Sequence, residues 1–144
     1  MQRLENKVAA ITGAAQGIGA ALAHVLAENG AQVVVTDIVD PSATVNAIKA
    51  AGGQAVGLQV DVTKNDDLAN MVDTAKSEFG GLDILVNNAG IFATLKPKPF
   101  MQINEDEFDK IMTVNARSVL QATKAAVPAL IERGGGKIVN IPSG

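Results

Sequence analysis

Five short apolar runs, separated by stretches of helical periodicity, constrain this chain more than any other feature. The runs lie in "KVAAITG", "AQVVVTD", "QAVGLQVDV", "LDILVNNAG" and "KIVNI". Each is continuously apolar instead of alternating, which is the pattern of strands buried on both faces. After the first, Ile18, Ala21, Leu22, Val25 and Leu26 recur at helical spacing, and Asn29-Gly30 supplies a stop. After the second, Asp40 as N-cap and Pro41 at the first helical position open a helix to about Ala51, closed by Gly52-Gly53. Leu68, Met71, Val72, Ala75 and Phe79 mark the apolar face of a third helix. Asn104 and Glu107 form a capping box for a long fourth helix through Phe108, Ile111, Met112, Val119, Ala122 and Ala126, ended by Gly134 to Gly136. Parallel strands need crossover connections, so this alternation predicts a doubly wound α/β fold: a parallel sheet of five strands covered on both faces, with residues 1–144 as one domain.

Composition narrows the function classes. With 47% hydrophobic residues the chain can bury a core, and with four Phe and neither Trp nor Tyr that core is aliphatic. A net charge of -3, with acids and bases scattered, offers no basic stripe for a phosphate backbone, so nucleic acid is not an expected partner. The absence of cysteine excludes thiolate metal sites, and the single His24 forms no histidine cluster and reads as a solvated helix residue. "MQRLENKVAAITG" has neither the h-region of a signal peptide nor a membrane span, so a soluble, cytoplasmic protein is expected.

The chemistry concentrates in "TGAAQGIG", residues 12–19, between a predicted strand and a predicted helix. In that context Gly13 permits a tight turn, Gly17 lets the backbone approach a diphosphate, and Gly19 allows close helix packing. Gln16 and Ile18 lie in the same turn and join the candidate contacts. Asp37, at the end of the second strand, is placed to accept hydrogen bonds from an adenosine ribose, with Ile38 beside it. Its carboxylate would repel a 2′-phosphate, and no arginine adjoins it. The expected cofactor is therefore NAD in preference to NADP.

These motifs, with Asp61-Val62, "NNAG" at 87–90, Val114-Asn115 and "IVNIPS" at 138–143, resemble in type and order the short-chain dehydrogenase/reductase family along the whole chain. The resemblance implies that Asp61 and Val62 contact adenine, that Asn88, Ala89 and Gly90 line the cofactor with Val114 nearby, and that Asn87 ties neighbouring strands. It implies a water-holding, proton-relay role for Asn115, and a substrate-orienting hydrogen bond from Ser143 to a carbonyl or alcohol oxygen. Each has a plainer alternative: Asp61 as a helix-preceding cap, Asn115 as a core asparagine bonded to helix backbone, Ser143 as part of a Ser-Gly turn. On its own pattern, Asn115 shares a helical register with Phe108, Ile111 and Met112, which puts a polar amide on an apolar side, where it needs partners.

The family's proton-transferring tyrosine, four residues before a lysine, follows the serine; this chain contains no tyrosine. The expectation is therefore the N-terminal, cofactor-binding part of an NAD-dependent oxidoreductase acting on an alcohol or ketone, a homo-oligomer when complete. The alternative is a catalytically inactive dinucleotide-binding fragment, or a subunit completed by another chain. The fifth strand is expected to be an exposed apolar edge.

Overall fold

The structure is a computed structural model and describes residues 3–92 and 95–141. Strands β1 (Val8–Ile11), β2 (Gln32–Asp37), β3 (Gln54–Gln59), β4 (Ile84–Asn87) and β5 (Lys137–Asn140) form a parallel sheet in the order β3-β2-β1-β4-β5. This is the expected doubly wound, Rossmann-like sheet. Strands β3 and β4 stop short of the full apolar runs, leaving Asp61-Val62 and Asn88 to Gly90 in the segments that leave the sheet.

Side-chain alternation divides the core into two layers. Val8, Ala10, Val34 and Leu85 face one way and pack with Leu68, Met71 and Ala75 of helix α3 (Asn65–Phe79) and Ala122 and Ala126 of helix α5 (Ser118–Glu132). Ala9, Ile11, Val33 and Val35 face the other way and pack with helices α1 (Gly17–Glu28) and α2 (Ser42–Ala50) through Ala23, Ala27, Val45 and Ile48. β1 is fully buried because it is the central strand and is covered on both sides.

Three local expectations are corrected. The buried face of α1 consists of Gly19, Ala23 and Ala27; Ile18 and Val25, expected on the apolar face, are 67% and 53% exposed. Small residues let the helix approach the sheet closely, and close approach rather than side-chain bulk chose the face. Helix α2 begins at Ser42 with Pro41 as its N-cap, one residue later than expected. Asp40 instead accepts hydrogen bonds from the backbone N–H and hydroxyl of Ser42, which is turn chemistry ahead of the helix.

The fourth helix is not one continuous α-helix. Helix α4 (Glu105–Met112) runs into a π-helical turn over Thr113–Arg117, and α5 follows. A π turn shifts the register, so residues before and after it do not share one face. Ala122 and Ala126 are buried while Phe108 and Met112 are 55% and 45% exposed, and α4 buries none of its residues. Its N-cap follows expectation, with Asn104 Oδ1 accepting from Glu107 N–H at 2.8 Å, but the Glu107 carboxylate meets Lys98 Nζ in an ion pair instead of closing the box. Strand β5 forms an exposed sheet edge, as expected, with Ile138 and Val139 partly open to solvent.

Candidate cofactor-binding site

The chain leaves β1 toward β2 on one side of the sheet, while β4 pairs with β1 on the other, so the strand order reverses between β1 and β4. In open α/β sheets the crevice at the carboxyl ends of such strands is where ligands bind. The glycine turn after β1 and the Asn88–Gly90 segment after β4 meet there.

Close packing requires two of the glycines. A Cβ on Gly13 would lie 2.8 Å from Ala89 Cα, and one on Gly19 would strike Gly13 O and Asn88 Nδ2. Gly13 and Gly17 both have a φ that favours glycine, +66° and +61°, but a Cβ on Gly17 would meet nothing within 4 Å. Gly13 and Gly19 are thus occupied by the protein itself, and Gly17 borders open space.

A set of hydrogen bonds ties the turn to the rest of the sheet. Thr12 Oγ1 accepts from Asn88 N–H at 3.1 Å and Ala89 N–H at 3.0 Å, while Asn88 Nδ2 donates to Thr12 O and Gly13 O. Ala14 N–H bonds Thr36 O, and Ala15 N–H donates to Asp37 Oδ2 at 2.9 Å. The other carboxylate oxygen of Asp37 accepts from Val39 N–H. Each oxygen keeps a lone pair for a further donor, so Asp37 can anchor the turn and still accept from a ligand hydroxyl.

The anchoring stops at Ala15. Gln16, at the N-cap of α1, makes no side-chain capping bond, and Gln16, Gly17 and Ile18 are exposed. The first amides of a helix have no carbonyl one turn earlier to bond. Uncapped, they leave a row of donors at the positive end of the α1 dipole, suited to an anion. Ile38, 66% exposed, stands beside Asp37.

Asp61 sits where β3 has ended. Its Oδ1 accepts from the Thr63 hydroxyl and N–H, and these two bonds hold the carboxyl below its usual range against a small opposing effect of burial. This is a local turn cap, and among the described residues the second carboxylate oxygen accepts no hydrogen bond. Val62 is buried and lines a narrow cleft with Thr113, Arg117 and Ser118 from the π turn and α5. Val114 is partly buried against the α3/α5 layer of the core.

Asn115 occupies the π turn, and its amide bonds the loop after β4 instead of the helix backbone that the plainer reading expected. Its Oδ1 accepts from Ile91 N–H at 2.7 Å and its Nδ2 donates to Ile91 O at 3.0 Å, so the amide grips the backbone of the loop after β4. Gly90 lies against it: a Cβ there would sit 3.4 Å from Asn115 Oδ1. Asn87 does tie strands, donating to Asn140 Oδ1 across β4 and β5 at 2.9 Å. Ser143 lies outside the described residues.

Two participants escaped the sequence reading. Asp67, in the first turn of α3, accepts from Asp61 N–H at 2.8 Å. Thr44, in α2 and 4% exposed, donates its hydroxyl to Ala15 O at 3.1 Å. The acid in a helix's first turn was a signal for Asp67, but nothing local marked Thr44. Among the described residues no His, Cys, Asp and Glu side chains gather into a metal-binding group, and no helix is long and apolar enough to cross a membrane.

The sequence profile described as short chain dehydrogenase matches residues 7–144. An uncharacterized oxidoreductase of Methylorubrum extorquens is 44% identical over 99% of this chain and 57% of its own length. The 2-dehydro-3-deoxy-D-gluconate 5-dehydrogenase of Escherichia coli is 38% identical over 97% of this chain and 54% of its own. The crystal structure of a hydroxysteroid dehydrogenase from Escherichia coli superposes with a TM-score of 0.89 at 38% identity, covering 96% of this chain and 58% of that one. The chain thus spans little more than half the length of these relatives. A profile match over nearly every residue, with relatives well above 30% identity and the same sheet, makes the chain a member of the short-chain dehydrogenase/reductase family.

Proposed function

We propose that residues 1–144 form the cofactor-binding domain of an NAD-dependent oxidoreductase that interconverts an alcohol and a carbonyl compound. The family uses a nicotinamide dinucleotide, NAD or NADP; the choice of NAD is inferred from the site. One observation carries it: the turn is pinned as far as Ala15, the amides beyond it are uncapped next to open space at Gly17, and Asp37 stands at the end of β2 beside the turn with no arginine adjoining it in sequence.

On this reading Gly13, Gln16, Gly17, Ile18 and Gly19 form the diphosphate turn, Asp37 and Ile38 flank the adenosine ribose, and Asp61 and Val62 border the adenine. Asn88, Ala89, Gly90 and Val114 line the remaining wall. When bound, the nicotinamide supplies or accepts the hydride. Asn115 contributes by holding the Ile91 backbone, which orders the loop leaving β4 at the rim of the crevice. Ser143 orients the substrate oxygen by hydrogen bonding. A phenolic proton donor is not among these residues, since the chain has no tyrosine. The proposal extends to a small alcohol or ketone substrate, a cytoplasmic location and a homo-oligomer.

Titration of the full-length protein with NADH and NADPH, followed by nicotinamide fluorescence, tests the proposal. NADH is expected to bind at least about tenfold tighter, because Asp37 disfavours a 2′-phosphate, and Asp37→Ala is expected to narrow the ratio. Equal or tighter binding of NADPH refutes the choice of NAD, and no binding of either refutes the proposal.

A further inference from the structure

Both polar groups of Ala15 are held by the second βα unit. Asp37, at the end of β2, takes its N–H, and Thr44, in the first turn of α2, donates to its carbonyl. The Thr44 hydroxyl is buried and the bond spans 29 residues of sequence, so it is neither a solvent-exposed accident nor a local turn contact. A peptide unit is planar and trans, so its carbonyl and the next N–H point in opposite directions. Fixing Ala15 O toward α2 therefore fixes the Gln16 N–H away from α2. That N–H adjoins the uncapped amides that open helix α1, where the turn's own anchoring has ended.

We propose that Thr44 is a positioning residue of the cofactor turn: its hydroxyl sets the Ala15–Gln16 peptide plane, and through it the direction of the amides offered to the cofactor diphosphate. This deepens the function proposed above and rests on it. A second consequence concerns Asp37. Because its Oδ2 holds the same residue from the other side, replacing it removes an anchor of the turn as well as a ribose acceptor. Selectivity changes made at Asp37 alone will therefore weaken the binding of both dinucleotides, and Thr44 is the grip that remains.

Thr44→Val keeps the side-chain shape and deletes the donor, while Thr44→Ser keeps the donor and deletes the methyl group. In the full-length protein without cofactor, amide hydrogen exchange at Ala14 and Ala15, the bonded amides of the turn, is expected to quicken at least tenfold in T44V and to stay within twofold of wild type in T44S. The NADH dissociation constant is expected to rise about fivefold or more in T44V and to recover in T44S. Far-UV circular dichroism establishes that each variant is folded; should T44V not fold, T44A carries the same comparison. Unchanged exchange and NADH affinity in the donor-less variant overturn the role of Thr44, and so does a T44S that behaves like T44V, which would assign the effect to methyl packing. A wild-type protein that binds no NADH overturns the function proposed above and, with it, the cofactor part of this inference.

Discussion

Gly19→Ala offers the sharpest test of how the turn is built. The added methyl would strike Gly13 O, come within 2.5 Å of Asn88 Nδ2 and lie 2.9 Å from Ala14 Cα. None of these neighbours is a free side-chain end. Asn88 Nδ2 already bonds Thr12 O and Gly13 O, and Ala14 N–H is bonded to Thr36 O. Relief must come from moving helix α1 off the sheet or from breaking the Asn88 bonds. Overpacking of a well-packed site costs about 1–3 kcal/mol, and loss of one of those bonds adds about 1 kcal/mol, for a total of about 2–4 kcal/mol. Gly17→Ala is the matched control. Its methyl meets nothing within 4 Å, so its cost is confined to the φ of +61°, about 1–2 kcal/mol for a residue with a Cβ. Urea unfolding followed by far-UV circular dichroism suits a chain without Trp or Tyr. At an m-value of about 2 kcal/mol/M, Gly19→Ala should lower the midpoint by about 1–2 M and Gly17→Ala by at most about 1 M. NADH affinity should fall in both, and in Gly17→Ala out of proportion to stability, because that methyl fills the open space. Gly19→Ala within about 0.5 kcal/mol of wild type would refute the packing argument.

Other outcomes follow from individual bonds. Burial by itself would raise the Asp83 pKa, but the Arg133 guanidinium, Val8 N–H and the charge of Lys7 more than offset it and hold the carboxyl below its usual range. The stability it contributes is therefore complete above the ordinary carboxylate pKa of about 4 and is lost as pH falls through the lower folded value. Asp83→Asn should cost about 2–4 kcal/mol at pH 7 and flatten the decline of the urea midpoint below about pH 4; an unchanged acid profile would count against it. Asn115→Leu leaves Ile91 N–H and C=O without their partners and should cost about 1–3 kcal/mol, with faster amide exchange at Ile91 as its specific signature. Asn104→Ala removes the side-chain cap of α4 and should cost about 1 kcal/mol by thermal unfolding, leaving NADH affinity unchanged.

The local features of this protein were legible in its sequence. Short apolar runs, helical spacing and glycine or Asx stops depend on residues within a few positions of one another, so the strands, the helices, the Asn104 cap and the glycine turn could be read directly. The exposed edge at β5 was expected only through the family resemblance, not from the pattern of residues. Where local reading failed, side-chain bulk was the wrong guide. Helix α1 turned Gly19, Ala23 and Ala27 to the sheet because closeness was gained by small residues, and the π turn at Thr113–Arg117 shifted a register that the spacing had carried straight through.

The site itself was decided by tertiary structure. Thr12 reaches Asn88 across 76 residues, Asp37 reaches Ala15 across 22, and Asn115 reaches Ile91 across 24. Periodicity shows that strands exist but carries nothing on which strand lies beside which. Once the order β3-β2-β1-β4-β5 brings the ends of β1, β2 and β4 together, buried polar groups must find partners there: Thr44, which no local pattern marks, and Asn115, whose partner its pattern left open, become grips on backbone. The sequence alone determined that a glycine turn would join a buried strand to a helix; only the assembled sheet determined which side chains hold that turn in place.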